Sequence, residues 1–128
     1  MYQFHGWFGL SDSTEDSDEQ VLDAAVDELR RLMDDLAEYL TVRQVTPLNG
    51  DYFLLVAGAG NRPRDTPVQL DRLLSRVAEL LPGSYGLLYE RDDEAVESNA
   101  FRVRKLARGV VSEESDPFLS PIVPTIED

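Results

Sequence analysis

Hydrophobic and polar residues alternate at the start of the chain. One side of this segment carries Tyr2, Phe4, Phe8 and Leu10, and the other carries Gln3, His5, Trp7 and Gly9. Aromatic residues at a period of two are typical of a β-strand. The pattern therefore predicts a strand from Tyr2 to Leu10, with Trp7 on the side of the sheet that faces away from the core.

The period changes after a polar, acidic loop at residues 11–17. Apolar side chains then recur every three or four residues, at Leu22, Ala25, Val26, Leu29, Leu32, Met33, Leu36 and Leu40. This spacing places them on one face of a helix, which we expect from Asp18 to Tyr39. The segment Ser17 to Gln20 fits a capping box, with Ser17 as the N-cap residue.

The remaining pattern adds a second helix and more strands. Asn49-Gly50 is a hairpin signal between strands expected at 41–47 and 52–57, and a loop is expected at 58–64. A second apolar stripe predicts a helix that ends before Pro82-Gly83. Strands at 84–90 and 101–111 complete the order β-α-β-β-α-β-β. We expect a single α+β domain over residues 1–128, in which a largely antiparallel sheet carries both helices on one face.

The last residues combine proline with apolar side chains. Pro117, Pro121 and Pro124 exclude a helix or a central strand there. We expect residues 112–128 to pack as an extended strap across the sheet, and a frayed terminus is the alternative. The strap would cover the aromatic residues of the helix-free face. Otherwise these aromatic residues, Trp7, Tyr85 and Tyr89, form a binding patch.

Charge adds a preference for partners. The 128 residues include 25 acids and 12 bases, for a net charge of −13, and eleven of the acids lie between Asp12 and Glu38. Such a field repels nucleic acid and anionic membranes, and it speeds the encounter with basic proteins. A solvated helix face is the plainer interpretation. The chain lacks cysteine, a long apolar run and a basic signal-peptide start, so we expect a cytoplasmic protein.

Catalytic patterns are sparse. His5 is the only histidine, and no G-x-S-x-G motif or phosphate-binding loop accompanies it. The acidic run at Asp92, Asp93 and Glu94 lacks the ligand spacing of a calcium loop. We therefore expect no cofactor, no metal and no catalytic residue, and we keep a small hydrolase that uses His5 as a minor hypothesis.

Several segments resemble one known family. These are His5-Gly6-Trp7-Phe8, Asn49-Gly50-Asp51-Tyr52-Phe53, the stretch from Gly83 to Glu94, Leu106-Ala107-Arg108-Gly109 and the segment from Asp116 to Pro121. Together they resemble the immunity protein 7 family of bacterial polymorphic toxin systems, over essentially the whole chain. The resemblance implies an α+β protein that neutralises a toxin encoded beside it, often a nuclease. It assigns no catalytic or contact residues.

The leading hypothesis is an immunity protein that occludes the active site of a basic cognate toxin. An acidic adaptor or chaperone for a secreted effector is the main alternative. From the charge pattern and the exposed aromatic residues, we expect the partner to contact Asp12, Glu15, Asp16, Glu19, Asp23, Asp27, Asp92, Asp93, Glu94, Trp7, Tyr85 and Tyr89.

Overall fold

A computed structural model describes residues 1–60 and 65–128. Its elements are β1 (Tyr2–Leu10), α1 (Glu19–Asp35), β2 (Val42–Leu48), β3 (Asp51–Gly60), α2 (Asp65–Leu80), β4 (Tyr85–Asp92), β5 (Arg102–Ala107), β6 (Val110–Ser115) and the short α3 (Ile122–Thr125). The predicted α+β domain is confirmed. The predicted loop at 58–64 is wrong for its first three residues, which belong to β3, and residues 61–64 lie outside the described residues.

One sheet contains all six strands in the order β2-β3-β1-β4-β5-β6, and every pair of neighbours is antiparallel. The strand β1 lies between β3 and β4, with Trp7 opposite Leu55 on one side and Leu87 on the other. Successive side chains of a strand point to opposite faces. The register therefore fixes which residues share a face across the whole sheet.

Helices α1 and α2 pack on the same face of the sheet. This face contributes Phe4, Phe8, Leu54 and Leu88 to the core, and the helices contribute Leu22, Val26, Leu29, Leu70, Leu73 and Val77. Full burial of one such side chain stabilises the fold by about 1.5–3 kcal/mol. The opposite face of the sheet carries Trp7 and His5, and we call it the open face.

Both ends of α1 differ from the prediction. The N-cap of α1 is Asp18 rather than Ser17, because the Asp18 carboxylate accepts hydrogen bonds from the N–H groups of Gln20 and Val21. The helix ends at Asp35, four residues before the predicted end, and residues 36–39 form turns.

The single long strand expected at 101–111 is wrong. It is a hairpin of β5 and β6, with Arg108 and Gly109 at positive φ in the turn. Asn49 and Gly50 have the same conformation in the β2–β3 hairpin, which was predicted. Gly109 was an available signal for the second hairpin, but an arginine before it is not a usual turn residue.

The tail differs from the extended strap expected at 112–128. Residues 112–115 belong to β6, and residues 122–125 form the short kinked turn α3, in which Val123 and Pro124 do not have helical φ and ψ angles. The Asp116 carboxylate accepts hydrogen bonds from the N–H groups of Phe118 and Leu119 and from the Ser120 hydroxyl. Ile122 is fully buried, and its N–H donates to the carbonyl of Asn99 at 2.8 Å. The tail therefore folds back and is anchored at residues 116–122.

Candidate functional site

The open face presents an exposed apolar surface at its β1–β4 centre. The Trp7 and Tyr85 side chains are 45% and 51% exposed. Trp7 has Leu55 and Leu87 beside it, and Gly9 has Phe53 and Tyr85 beside it. We call this surface the aromatic patch, and it consists of Trp7, Phe53, Leu55, Tyr85 and Leu87.

A glycine lets the aromatic patch form. The Tyr85 ring lies over Gly9, where a Cβ atom would come within 2.6 Å of the ring. Tyr85 therefore reaches across β1 toward Trp7. The two ring centroids are 6.1 Å apart at an interplanar angle of 82°, an edge-to-face arrangement that aromatic pairs prefer. The two rings thus stabilise each other although both are half exposed.

The acidic loop, residues 11–17, begins at the end of β1 that lies beside Tyr85. Its backbone is fixed by Asp12, whose carboxylate accepts hydrogen bonds from the Asp18 N–H and the Ser17 hydroxyl, both at 2.8 Å. The hydrogen bond from Asp18 contributes most to lowering the pKa of Asp12. The Ser11 N–H donates to the Ser84 hydroxyl at 3.0 Å. Because Tyr85 follows Ser84, this bond ties the loop to the patch.

Two acids of the loop remain available. Glu15 and Asp16 are exposed, and neither has an ion pair within the described part of the chain. Gly83 lies under the loop, where a Cβ atom would collide with the Ser13 carbonyl. The loop therefore rests closely on the turn before β4 while its charges face solvent.

The predicted acids of α1 lie along one side of that helix. Glu19, Asp23 and Asp27 are spaced four residues apart and are exposed. Asp23 accepts a hydrogen bond from the Tyr52 hydroxyl at 3.3 Å. This side of α1 therefore runs over the start of β3, on the helix-covered side of the sheet.

The predicted acids Asp92, Asp93 and Glu94 lie at the other end of the sheet. Asp92 is opposite Tyr2, whereas the acidic loop follows Leu10. Eight residues separate these ends of β1, which corresponds to about 26 Å at 3.3 Å per residue. Asp93 pairs with the Met1 amine, and Asp92 accepts a hydrogen bond from the Glu94 N–H. We call these three residues the distal acidic turn, since the structure separates them from the other predicted acids.

Tyr89 differs from the other two predicted aromatic residues. Its hydroxyl donates to Asp116 at 3.0 Å, and its ring stacks on His5 and meets Phe101 edge-on. The tail thus covers this end of the open face. Tyr89 anchors the tail rather than joining the exposed patch.

The surroundings of His5 do not form a catalytic arrangement. A cavity of about 430 Å³ borders His5, and none of the described residues that line it is an acid. The imidazole stacks on the ring of Tyr89 and meets the ring of Phe101 edge-on. Among the described residues, no group of His, Cys, Asp or Glu side chains is arranged to hold a metal ion.

Glu90, which was not among the predicted site residues, lies at the centre of a buried ion network. Arg102 donates to this carboxylate at 2.7 and 2.9 Å, and Arg104 pairs with both Glu90 and Asp71. Burial raises the pKa of Glu90, and the contact with Arg102 opposes that change. The alternation along β4, which places Glu90 on the core side, was a signal in the sequence for this burial. The network binds β4 to β5 and α2, so we assign it to the fold.

Comparison with known families gives the class of the protein. The model of the Immunity protein 7 family matches residues 1–128, so the chain belongs to this family of immunity proteins. Comparisons with curated proteins and with solved structures find no match. Within the described residues, no helix is both long and apolar enough to cross a membrane.

Proposed function

We propose that this chain neutralises a cognate toxin by binding over the toxin's active site. The match of the whole chain to an immunity protein family carries this proposal. The chain acts as a stoichiometric inhibitor and not as an enzyme. It acts in the cytoplasm of the cell that produces it, and it needs no cofactor, nucleic acid or membrane.

The charge distribution supports a basic partner. Seven exposed acids of the first 35 residues have no ion pair within residues 1–60 and 65–128, namely Glu15, Asp16, Asp18, Glu19, Asp23, Asp27 and Asp35. Surface charges of one sign raise the rate of association with an oppositely charged protein. Proteins that bind nucleic acid carry basic surfaces, because they neutralise phosphates. A nuclease-type toxin is therefore the partner class that we favour.

The rigidity of the fold supports inhibition by occlusion. The predicted site residues lie on strands of the sheet, on α1, or on the loop and turn that adjoin them, so they have a defined shape before binding. A preformed surface loses little conformational entropy on association. Such a surface can cover an active site without rearranging.

Co-expression tests this function. The toxin domain encoded beside this chain's gene is induced in a bacterial host, with the chain, with an empty vector, or with an unrelated protein of similar size and negative charge. We expect survival only with the chain. Death of cells that contain soluble chain bound to the toxin contradicts the proposal and favours an adaptor. Survival with the unrelated acidic protein would show that charge alone explains protection.

A further inference from the structure

We infer that the toxin docks on the uncovered half of the open face, with the aromatic patch as the floor of the interface and the acidic loop as its rim. This inference rests on the proposed function. The occupant is a basic protein surface that presents an apolar or aromatic side chain flanked by Arg or Lys. The distal acidic turn and Tyr89 lie outside this interface.

The floor has the composition of an interface centre. Tryptophan and tyrosine are enriched among the residues that dominate binding energy, and large exposed apolar surfaces mark sites of association. Trp7 and Tyr85 are half exposed, and their edge-to-face contact holds them in place before a partner arrives. Phe53, Leu55 and Leu87 extend the same surface on both sides of β1.

The rim gives the floor its charge preference. The bond between Ser11 and Ser84 fixes the start of the acidic loop at the end of β1 that lies beside Tyr85. Glu15 and Asp16 form no ion pair with any described residue, so their charges are available to a partner. An apolar floor beside unpaired carboxylates complements an apolar side chain surrounded by cations.

Two other occupants fit the structure less well. The tail is committed to the other half of the face, since Asp116 receives the Tyr89 hydroxyl and Ile122 is buried there. A second copy of the chain would bring another net charge of −13 against the first, with repulsion between like charges. A basic partner avoids both difficulties.

The first test measures affinity for an inactivated form of the toxin domain encoded by the neighbouring gene. Trp7→Ala and Tyr85→Ala should each weaken binding about tenfold or more, as hot-spot residues do. Phe118→Ala is the matched control, because Phe118 is an aromatic residue that is 75% exposed on the tail. We expect it to bind like wild type. Circular dichroism checks each fold, and Tyr85→Ala decides the question if Trp7→Ala folds poorly.

The second test measures association rates at low and high salt. Glu15→Gln combined with Asp16→Asn removes two charges at the rim, and Glu94→Gln combined with Glu97→Gln removes two at the other end of the sheet. The rim variant should associate several-fold more slowly at low salt, whereas the distal variant should change less.

The outcomes separate the two proposals. If the wild-type chain fails to bind the toxin domain, both the proposed function and this inference are overturned. If it binds and the Trp7 and Tyr85 variants bind equally well, or if Phe118→Ala costs as much, only the docking surface is overturned. A tenfold loss confined to the patch variants supports it.

Discussion

Tyr85 and Tyr89 lie four residues apart on β4 and point to the same open face of the sheet. The partly buried Tyr89 ring stacks on His5 and meets Phe101 edge-on, and its hydroxyl donates to Asp116. The Tyr85 ring contacts Trp7 at its edge and is otherwise half exposed. The tail therefore divides the open face into a covered half, around Tyr89, and an uncovered half, around Tyr85.

This difference shows that the same residue type on the same face has two roles. The covered half stabilises the free chain through its contacts with the tail. The uncovered half gains little from folding, and its burial would come from a partner. Substitutions in the covered half should therefore lower the free energy of unfolding, whereas those in the uncovered half should mainly change binding.

The largest effect on the free energy of unfolding is expected at Ile122, the buried anchor of the tail. Ile122→Ala removes a fully buried side chain and should lower the free energy of unfolding by about 2–4 kcal/mol. Ile126→Ala is the matched control, since Ile126 is mostly exposed, and it should change stability by at most about 0.5 kcal/mol. Urea unfolding of the purified chains measures both. Equal effects of the two substitutions would mean that the tail does not cover the face.

A smaller effect is expected at Asp116, and it should depend on pH. Burial opposes ionisation of Asp116, but the hydrogen bonds from Phe118, Ser120, Tyr89 and Leu119 outweigh it and lower the pKa. A carboxylate with a lowered pKa stabilises the fold above its unfolded pKa, about 3.9, and this contribution is lost as the pH falls through the folded pKa.

The substitution Asp116→Asn removes that charge. It should lower the free energy of unfolding by about 1–3 kcal/mol at pH 7, because an uncharged amide accepts these hydrogen bonds poorly. The difference from wild type should shrink at pH 3 and below. Urea unfolding at pH 7 and pH 3 measures the change, and a difference that is the same at both pH values would show that the Asp116 charge does not hold the tail.

The smallest effects on the free energy of unfolding are expected at the two tyrosines, which can be compared directly. Tyr89→Phe removes the hydrogen bond to Asp116 and should cost about 1 kcal/mol. Tyr85→Phe removes a hydroxyl from an exposed ring and should leave the free energy of unfolding within about 0.5 kcal/mol of wild type. Thermal or urea unfolding of both variants checks this. A larger cost at Tyr85 would reverse the assignment of the two halves.

Local pattern predicted most of the fold. The alternation in β1, the helical stripe of α1 and the turn at Asn49-Gly50 each depend on neighbouring residues, so the sequence shows them directly. Arg108-Gly109 was missed because an arginine at positive φ is held there by the pairing of β5 and β6 and not by its own preference.

The site was predicted less completely, because it depends on contacts distant in sequence. Alternation placed Trp7, Tyr85 and Tyr89 on the face away from the core, and the structure agrees. No local signal could show that the tail would reach Tyr89 and stop short of Tyr85. Likewise, the charge pattern grouped Asp12 with Asp92, and only the strand register places them at opposite ends of β1. Whether these residues contact a partner stays a prediction.

Trp7 offers the most direct measurement, because it is the only tryptophan of the chain. Chain labelled with 5-fluorotryptophan gives one fluorine resonance from the centre of the aromatic patch. Titration with the inactivated toxin domain should shift or broaden this resonance until one equivalent has been added. A saturated complex in which the resonance keeps its free position and width would contradict the docking of a toxin on the uncovered half of the open face.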